Sequence, residues 1–168
     1  MKNLITILLL IITVTSYGQS ELELKIFKYF NEYRIEKGLN PLKFDKKVLL
    51  ATEHHTKYLN DNGYPYNYIL DNPHREKELV HINDRLKKYG TTILFNSGEC
   101  IVMISRGYKQ TDDDMLRDAI KWWDRSPSHK TIMCLENVDI GAISILKVKD
   151  EGGYDAFLMT LNVVNVRD

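Results

Sequence analysis

The sequence predicts an α+β domain in which helices pack on an antiparallel sheet. Two observations carry that prediction. Capped, amphipathic segments at helical spacing dominate the chain as far as Arg125, and two β-branched runs around a glycine-rich turn close it. Beyond residue 18 no repeat, low-complexity stretch or linker intervenes, so 19–168 is read as one domain.

The first eighteen residues are set aside. Lys2 precedes the apolar run "LITILLLIITVTSY", and small residues follow at Ser16 and Gly18, the pattern of a signal peptide over 1–18 with cleavage before Gln19. A transmembrane helix needs roughly 20 apolar residues, more than this run supplies. No cysteine stands at the cleavage point to take a lipid anchor, so the expectation is a secreted or periplasmic protein.

"SELELKIFKYFNEYRIEKG" places Leu24, Phe27, Phe30 and Tyr33 near helical spacing, with Ser20 as the cap and Gly38 as the stop. Asp45 can cap a second helix whose inner stripe is Val48, Ala51, His55 and Leu59, ended by Gly63. Tyr64 to Pro73 is turn-rich and reads as a loop, and "ELVHINDRLKKYG" as a short helix ending at Gly90. "GECIVMIS" fits a buried strand or a helix, which periodicity alone does not separate. Thr111 and Asp114 form a capping pair ahead of a helix with Leu116, Ala119, Ile120 and Trp123 on one face. Pro127 ends it, since a residue before proline avoids helical torsions. "VDIGAISILKV" and "YDAFLMTLNVVNV" then flank the hairpin turn "KDEGG".

Composition excludes some functions. The formal charge is 0, and removing 1–18 takes away only Lys2, leaving −1. Such a balance offers no electrostatic footprint for nucleic acid and no basic face for a membrane. HExxH, CxxC, GxSxG and glycine-rich phosphate loops are absent. Cys100 and Cys134 are the two cysteines, and an exported chain can join them or bury them as thiols.

Five histidines remain: His54, His55, His74, His81 and His129. His54 and His55 are neighbours on one helix, about 100° apart, and cannot easily chelate together; His55 falls on the apolar stripe and reads as a core or edge histidine. His129 follows a Ser-Pro-Ser corner behind Trp122 and Trp123, an arrangement able to fix an imidazole for metal binding or proton transfer. Glu99, one glycine into an apolar segment, is either an exposed edge charge or an inward carboxylate in need of a partner.

These segments, in order, resemble the CAP superfamily of cysteine-rich secretory, antigen 5 and pathogenesis-related proteins. "NEYRIEKGLNPLKFD" is similar to its opening signature through Asn31, Arg34, Gly38, Leu39, Pro41, Leu42 and Asp45. "ATEHHTKYL" and "DRLKKYG" resemble the next two family segments, and "SGEC" resembles the GEN motif at Gly98 and Glu99, with Cys100 in place of asparagine. "WDRSPSHKTIM" is close to the bacterial W-x-x-S-P-x-H form, and "VDIGAISI" resembles the strand after it.

The resemblance covers 22 to about 166 and implies an α-β-α sandwich with a small central antiparallel sheet flanked by helices. It also implies a shallow cleft lined by two histidines and acids that can hold Zn2+ or another divalent cation. Carried over, Glu99 is the GEN glutamate, His129 the second histidine and His74 the first, with His81 as its rival. The second acid of many eukaryotic members falls near Ser126, with Asp124 as a candidate substitute. Two imidazoles and a carboxylate can form an open zinc site. The implied function is a non-enzymatic module binding a lipid, a peptide or a cell-envelope component. The alternatives are a zinc-assisted hydrolase, with Glu99 and His129 as catalytic candidates, and a structural domain with a vestigial cleft.

Overall fold

A computed structural model describes residues 20–66 and 72–166; the expected signal peptide and the middle of the Tyr64 to Pro73 loop lie outside them. The elements are α1 Glu21–Glu36, β1 Lys43–Phe44, α2 Lys46–Asp61, α3 Ile82–Lys88, β2 Ile93–Ser105, α4 Asp112–Arg125, α5 Pro127–Met133, β3 Ile140–Lys149 and β4 Asp155–Val166. Strand order across the sheet is β1-β3-β4-β2. The three long strands are antiparallel as predicted, while the short β1 adds in parallel to β3, pairing Lys43 with Ile140, so the whole sheet is mixed.

Alternation along the strands divides the molecule into three layers. Cys100, Val102, Phe157, Met159 and Leu161 point to one face and pack with Phe30, Leu116, Trp123 and Met133, so α1, α4 and α5 cover that side. On the other face Ala142 and Val164 meet Val48, Ala51 and Leu86, while Ile101 and Leu158 meet Leu59. This is the expected α-β-α sandwich.

The capping signals act as read. The Ser20 hydroxyl accepts from the Glu23 N–H at 3.3 Å and the Glu23 carboxylate from the Ser20 N–H at 2.7 Å. Asp45 accepts from the Lys47 and Val48 amides, and Thr111 exchanges bonds with Asp114. On α1 the buried stripe is Ile26, Phe27, Phe30, Tyr33 and Arg34, and Leu24 is exposed. Leu24 lies about 120° round the helix from Phe30, outside that stripe.

The opening signature builds a joint. The Asn31 amide brackets Leu42, donating to its carbonyl at 3.1 Å and accepting from its N–H at 2.9 Å. Arg34, wholly buried, donates to the carbonyls of Asn40, Met133 and Leu135, which ties α1 to the end of α5.

"GECIVMIS" is strand, and it lies within the 13-residue β2. The Ser-Pro-Ser corner differs from expectation. Ser126 is extended, as a pre-proline residue should be, but Pro127 then opens α5 at its first position. His129 therefore stands on a short helix and not in a turn. Trp123 is buried, whereas Trp122 is half exposed, with its ring centroid 5.5 Å from that of His129. Both cysteines are free thiols; Cys100 is buried between β2 and α5, and Cys134 lies 3.5 Å from the Tyr33 hydroxyl.

Candidate functional site

The sheet face covered by α2 is unusually polar. Thr52, His55, Thr56, Ser144, Thr160, Asn162 and Glu99 are all buried there. Strand alternation explains why Glu99 is among them: it sits between Gly98 and Cys100, so it shares a face with Ile101 and opposes Asn162 on β4. Gly98 has a separate role, since a Cβ at that position would come within 2.6 Å of the Ile132 side chain. The glycine lets α5 lie against β2.

Glu99 has a partner for each of its oxygens. One accepts from Arg85 Nη2 at 2.6 Å; the other accepts from His74 Nδ1 at 3.0 Å, with His55 Nε2 at 3.4 Å. The Asn162 amide, with its nitrogen turned toward the carboxylate, adds a donor at 3.1 Å. Burial on its own would raise this carboxyl. The His74 bond and the charges of His55 and Arg85 outweigh burial and hold it below the ordinary glutamate range.

A second buried carboxylate, Glu76, continues the chain of contacts. It meets His55 Nδ1 at 2.6 Å and His54 Nε2 at 3.1 Å, and Arg85 Nε stands 3.6 Å away, beyond hydrogen-bond reach. The Tyr89 hydroxyl donates to His54 Nδ1 at 3.1 Å. His55 has oxygen in front of each ring nitrogen, Glu76 at Nδ1 and Pro73 O at 2.9 Å beside Glu99 at Nε2, and so lies between the two acids. Burial again opposes ionisation of Glu76, and His55, Arg85 and His54 together reverse it.

Arg85 is the hinge of this network. It is fully buried on α3, reaches both acids, and also donates to the carbonyls of His74 and Leu79 at 3.3 and 3.4 Å. Two carboxylates with no cation between them would not stay ionised in such a place.

Of the residues singled out by sequence, His74 and Glu99 are in direct contact. Burial lowers the pKa of His129, with a smaller contribution from the charge of His74. The Nδ1 of His129 is buried and has no hydrogen-bond partner among the described residues. His81 begins α3 and is exposed, lining the groove without touching Glu99. Asp124 does not substitute for the missing acid, because its carboxylate is bound by Tyr33 and Lys130 at 2.7 and 3.0 Å. The second acid beside Glu99 is Glu76, which nothing in its polar loop distinguishes. His55 is core, as read, and it is also part of the site.

His74, Arg75, His81, Ser97, Glu99 and Ile132 line an open groove of about 350 Å3 beside β2. Among the described residues no three His, Cys, Asp or Glu side chains are grouped as ligands for one metal ion. His74 lines this groove with its Nδ1 held by Glu99, while His129 is not among the groove's lining residues and its buried Nδ1 has no partner among the described residues. A carboxylate behind a ligating histidine is the usual second support of a metal site, and Glu99 stands in that relation to His74.

The family model for CAP, the cysteine-rich secretory protein family, matches residues 27–163. No curated protein matches. Among solved structures, an extracellular protein containing an SCP domain from Bacillus anthracis str. Ames superposes with a TM-score of 0.63 and 22% identity, over 86% of this chain and 40% of that one. An outer surface protein from Borrelia burgdorferi gives 0.61 and 18%, over 89% of this chain and 97% of its own. A cysteine-rich secretory protein from Staphylococcus aureus subsp. aureus Mu50 gives 0.53 and 17%, over 86% and 38%. The chain thus spans about two fifths of the Bacillus and Staphylococcus proteins, and at these identities the likeness shows the fold. With its family signature matched across most of its length and its three layers shared with SCP-domain structures, the chain belongs to the CAP, or cysteine-rich secretory protein, family.

Proposed function

We propose that this chain is an exported, non-hydrolytic binding module whose ligand enters the groove beside β2. One observation carries the reading: Glu99 is buried, engaged on both oxygens and held ionised below the ordinary glutamate range. A general base needs a pKa near the working pH, and Glu99, bonded to Arg85 and His74 with His55 beside it, is held away from that range. Its work is to hold His74 in place at the rim. Export is supported by the 1–18 pattern and by relatives described as extracellular or outer-surface proteins. No helix among the described residues is long and apolar enough to cross a membrane.

A divalent cation such as zinc suits the same groove, with His74 as its ligand there, Glu99 behind His74, and His129 as the second imidazole. Such an ion would supply Lewis acidity and an anchoring point for an anionic group. The test is a calorimetric zinc titration of the purified protein, of His74→Ala and of His129→Ala, alongside an assay of ester and peptide hydrolysis with zinc present. The reading predicts binding weakened in both variants and no hydrolysis. Turnover abolished by Glu99→Gln would restore the hydrolase.

A further inference from the structure

Six aromatic side chains stand exposed among the described residues, and three of them, Tyr108, Trp122 and Tyr154, border two grooves that meet. One, of about 640 Å3, lies between the loop after β2 and the β3–β4 hairpin, with Tyr108 and Tyr154 on its walls. The other, of about 470 Å3, lies between the end of β2 and α4, and runs past Gln110 and Asp118 to Trp122 and Arg125. Gly107 lines both, and neither shares a residue with the groove that holds His74. Single aromatics scattered over a surface are ordinary; three gathered along adjoining grooves point to a ligand.

The rings are held out by rigid structure. Tyr108 sits in a turn closed by Gln110, whose N–H donates to Gly107 O at 3.1 Å and whose side-chain oxygen accepts from the Gly107 N–H at 2.7 Å. Beside it Lys109 takes a φ of 57°, the one left-handed non-glycine backbone among the described residues, a strained state that gathers at functional sites. Tyr154 leaves the hairpin with its N–H on the Asp150 carboxylate at 2.9 Å and its carbonyl accepting from the Asp150 N–H at 2.9 Å. Arg106 joins the two turns, donating its N–H to Asp155 O and its guanidinium to Gln110 O, each at 2.7 Å. Trp122 rests against His129, ring centroids 5.5 Å apart. A ligand would find the rings already placed and would lose little affinity to ordering them.

The walls between the rings are polar and mostly paired among themselves: Lys149 with Asp155 at 2.6 Å, Lys121 with Asp118 at 2.9 Å, and Arg106 with Asp112. Arg125 has no ionic partner among the described residues, and it stands three residues from Trp122, on the same side of α4. An open, polar trough of this kind does not suit a lipid tail, which needs an enclosed apolar wall. It suits a saccharide. The C–H face of a sugar ring stacks on the electron-rich face of an aromatic, and its hydroxyls bond to side chains such as Gln110 and Asp118. An acidic group on that sugar would meet the Arg125 guanidinium, a planar donor matched to a carboxylate.

We propose that this trough binds an acidic oligosaccharide, with Trp122 stacking on one sugar ring, Arg125 taking its carboxylate, and Tyr108 and Tyr154 holding the units beyond. The site is separate from the His74 groove and does not rest on the reading given to that groove.

The test is calorimetric titration of the purified protein with α-1,4-linked tetragalacturonate, its methyl ester and tetraglutamate. The ester keeps the rings without the charge, and the peptide keeps the charge without the rings. Tetragalacturonate is expected to bind at least about tenfold more tightly than either, and to change the emission of half-exposed Trp122. Trp122→Ala should weaken it about tenfold and Trp122→Phe should keep most of the affinity, with the melting temperature read for both. Arg125→Gln should bring tetragalacturonate and its ester to equal affinity, Tyr108→Ala with Tyr154→Ala should weaken both, and His74→Ala should change neither. No saccharide binding at millimolar concentration, tetraglutamate or the ester binding as tightly as tetragalacturonate, or affinity indifferent to Trp122 and Arg125 overturns the proposal. Binding lost in His74→Ala overturns it too, by placing the saccharide in the other groove.

Discussion

Arg85 is a guanidinium with no exposure, placed between two glutamates. Removing one member of a buried ionic set leaves the others charged and unpaired, at a cost of about 3–5 kcal/mol. Arg85→Met should therefore destabilise the protein by about that amount in chemical unfolding, whereas exposed Arg75→Ala should leave stability within about 0.5 kcal/mol. Trp123 is the other residue on which much rests: it is fully buried among α1, α4 and the sheet. Trp123→Ala should cost about 3–5 kcal/mol, read as a lower melting temperature; an unchanged value would mean that the ring does not pack as described.

At the scale of elements, the contact between α5 and β2 sets where His129 stands. Gly98 permits that contact, and Arg34 holds the far end of α5 through the carbonyls of Met133 and Leu135. Gly98→Ala should force Ile132 aside and cost about 1–3 kcal/mol. Ile132→Ala in the same chain should recover part of that loss, a coupling measured by a double-mutant cycle. The elements themselves were largely legible in sequence, because caps such as Ser20, Asp45 and Thr111 and the hairpin at Gly153 are local signals. The family motifs added His74, Glu99 and His129. What stayed hidden was non-local. Glu76 lies in a polar loop, and only the fold brings it to His54 and His55 from 22 and 21 residues away. Ser126 to Pro127 read as a stop, yet proline serves equally as the first residue of a helix, and two residues further on lies His129. Nor can a pairing pattern read from sequence reveal which strand is left at an edge.

For the molecule as a whole, the buried network ties stability to pH. Glu76 and Glu99 both ionise more readily folded than unfolded. Their contribution is complete above the unfolded glutamate pKa of about 4.3 and is lost as pH falls through their lower folded values. His129 acts in the same direction at milder acidity. Folding lowers its pKa, so stability falls as the pH drops below the unfolded value of about 6.5 toward the folded one. Melting temperature should thus decline in two stages on acidification, and His129→Gln should remove the upper stage alone.

The account depends above all on Glu99 being an ionised, fully partnered group that positions His74. Carbon-13 NMR titration of the Glu99 side-chain carboxyl measures this directly. The structure predicts that the signal keeps its carboxylate shift as the pH passes below the ordinary glutamate range, and that its midpoint rises when His74 is replaced. A midpoint at or above about 4.3 in the unaltered protein would contradict it. Glu99 would then be free to take and give protons, and the groove would again be a candidate for catalysis.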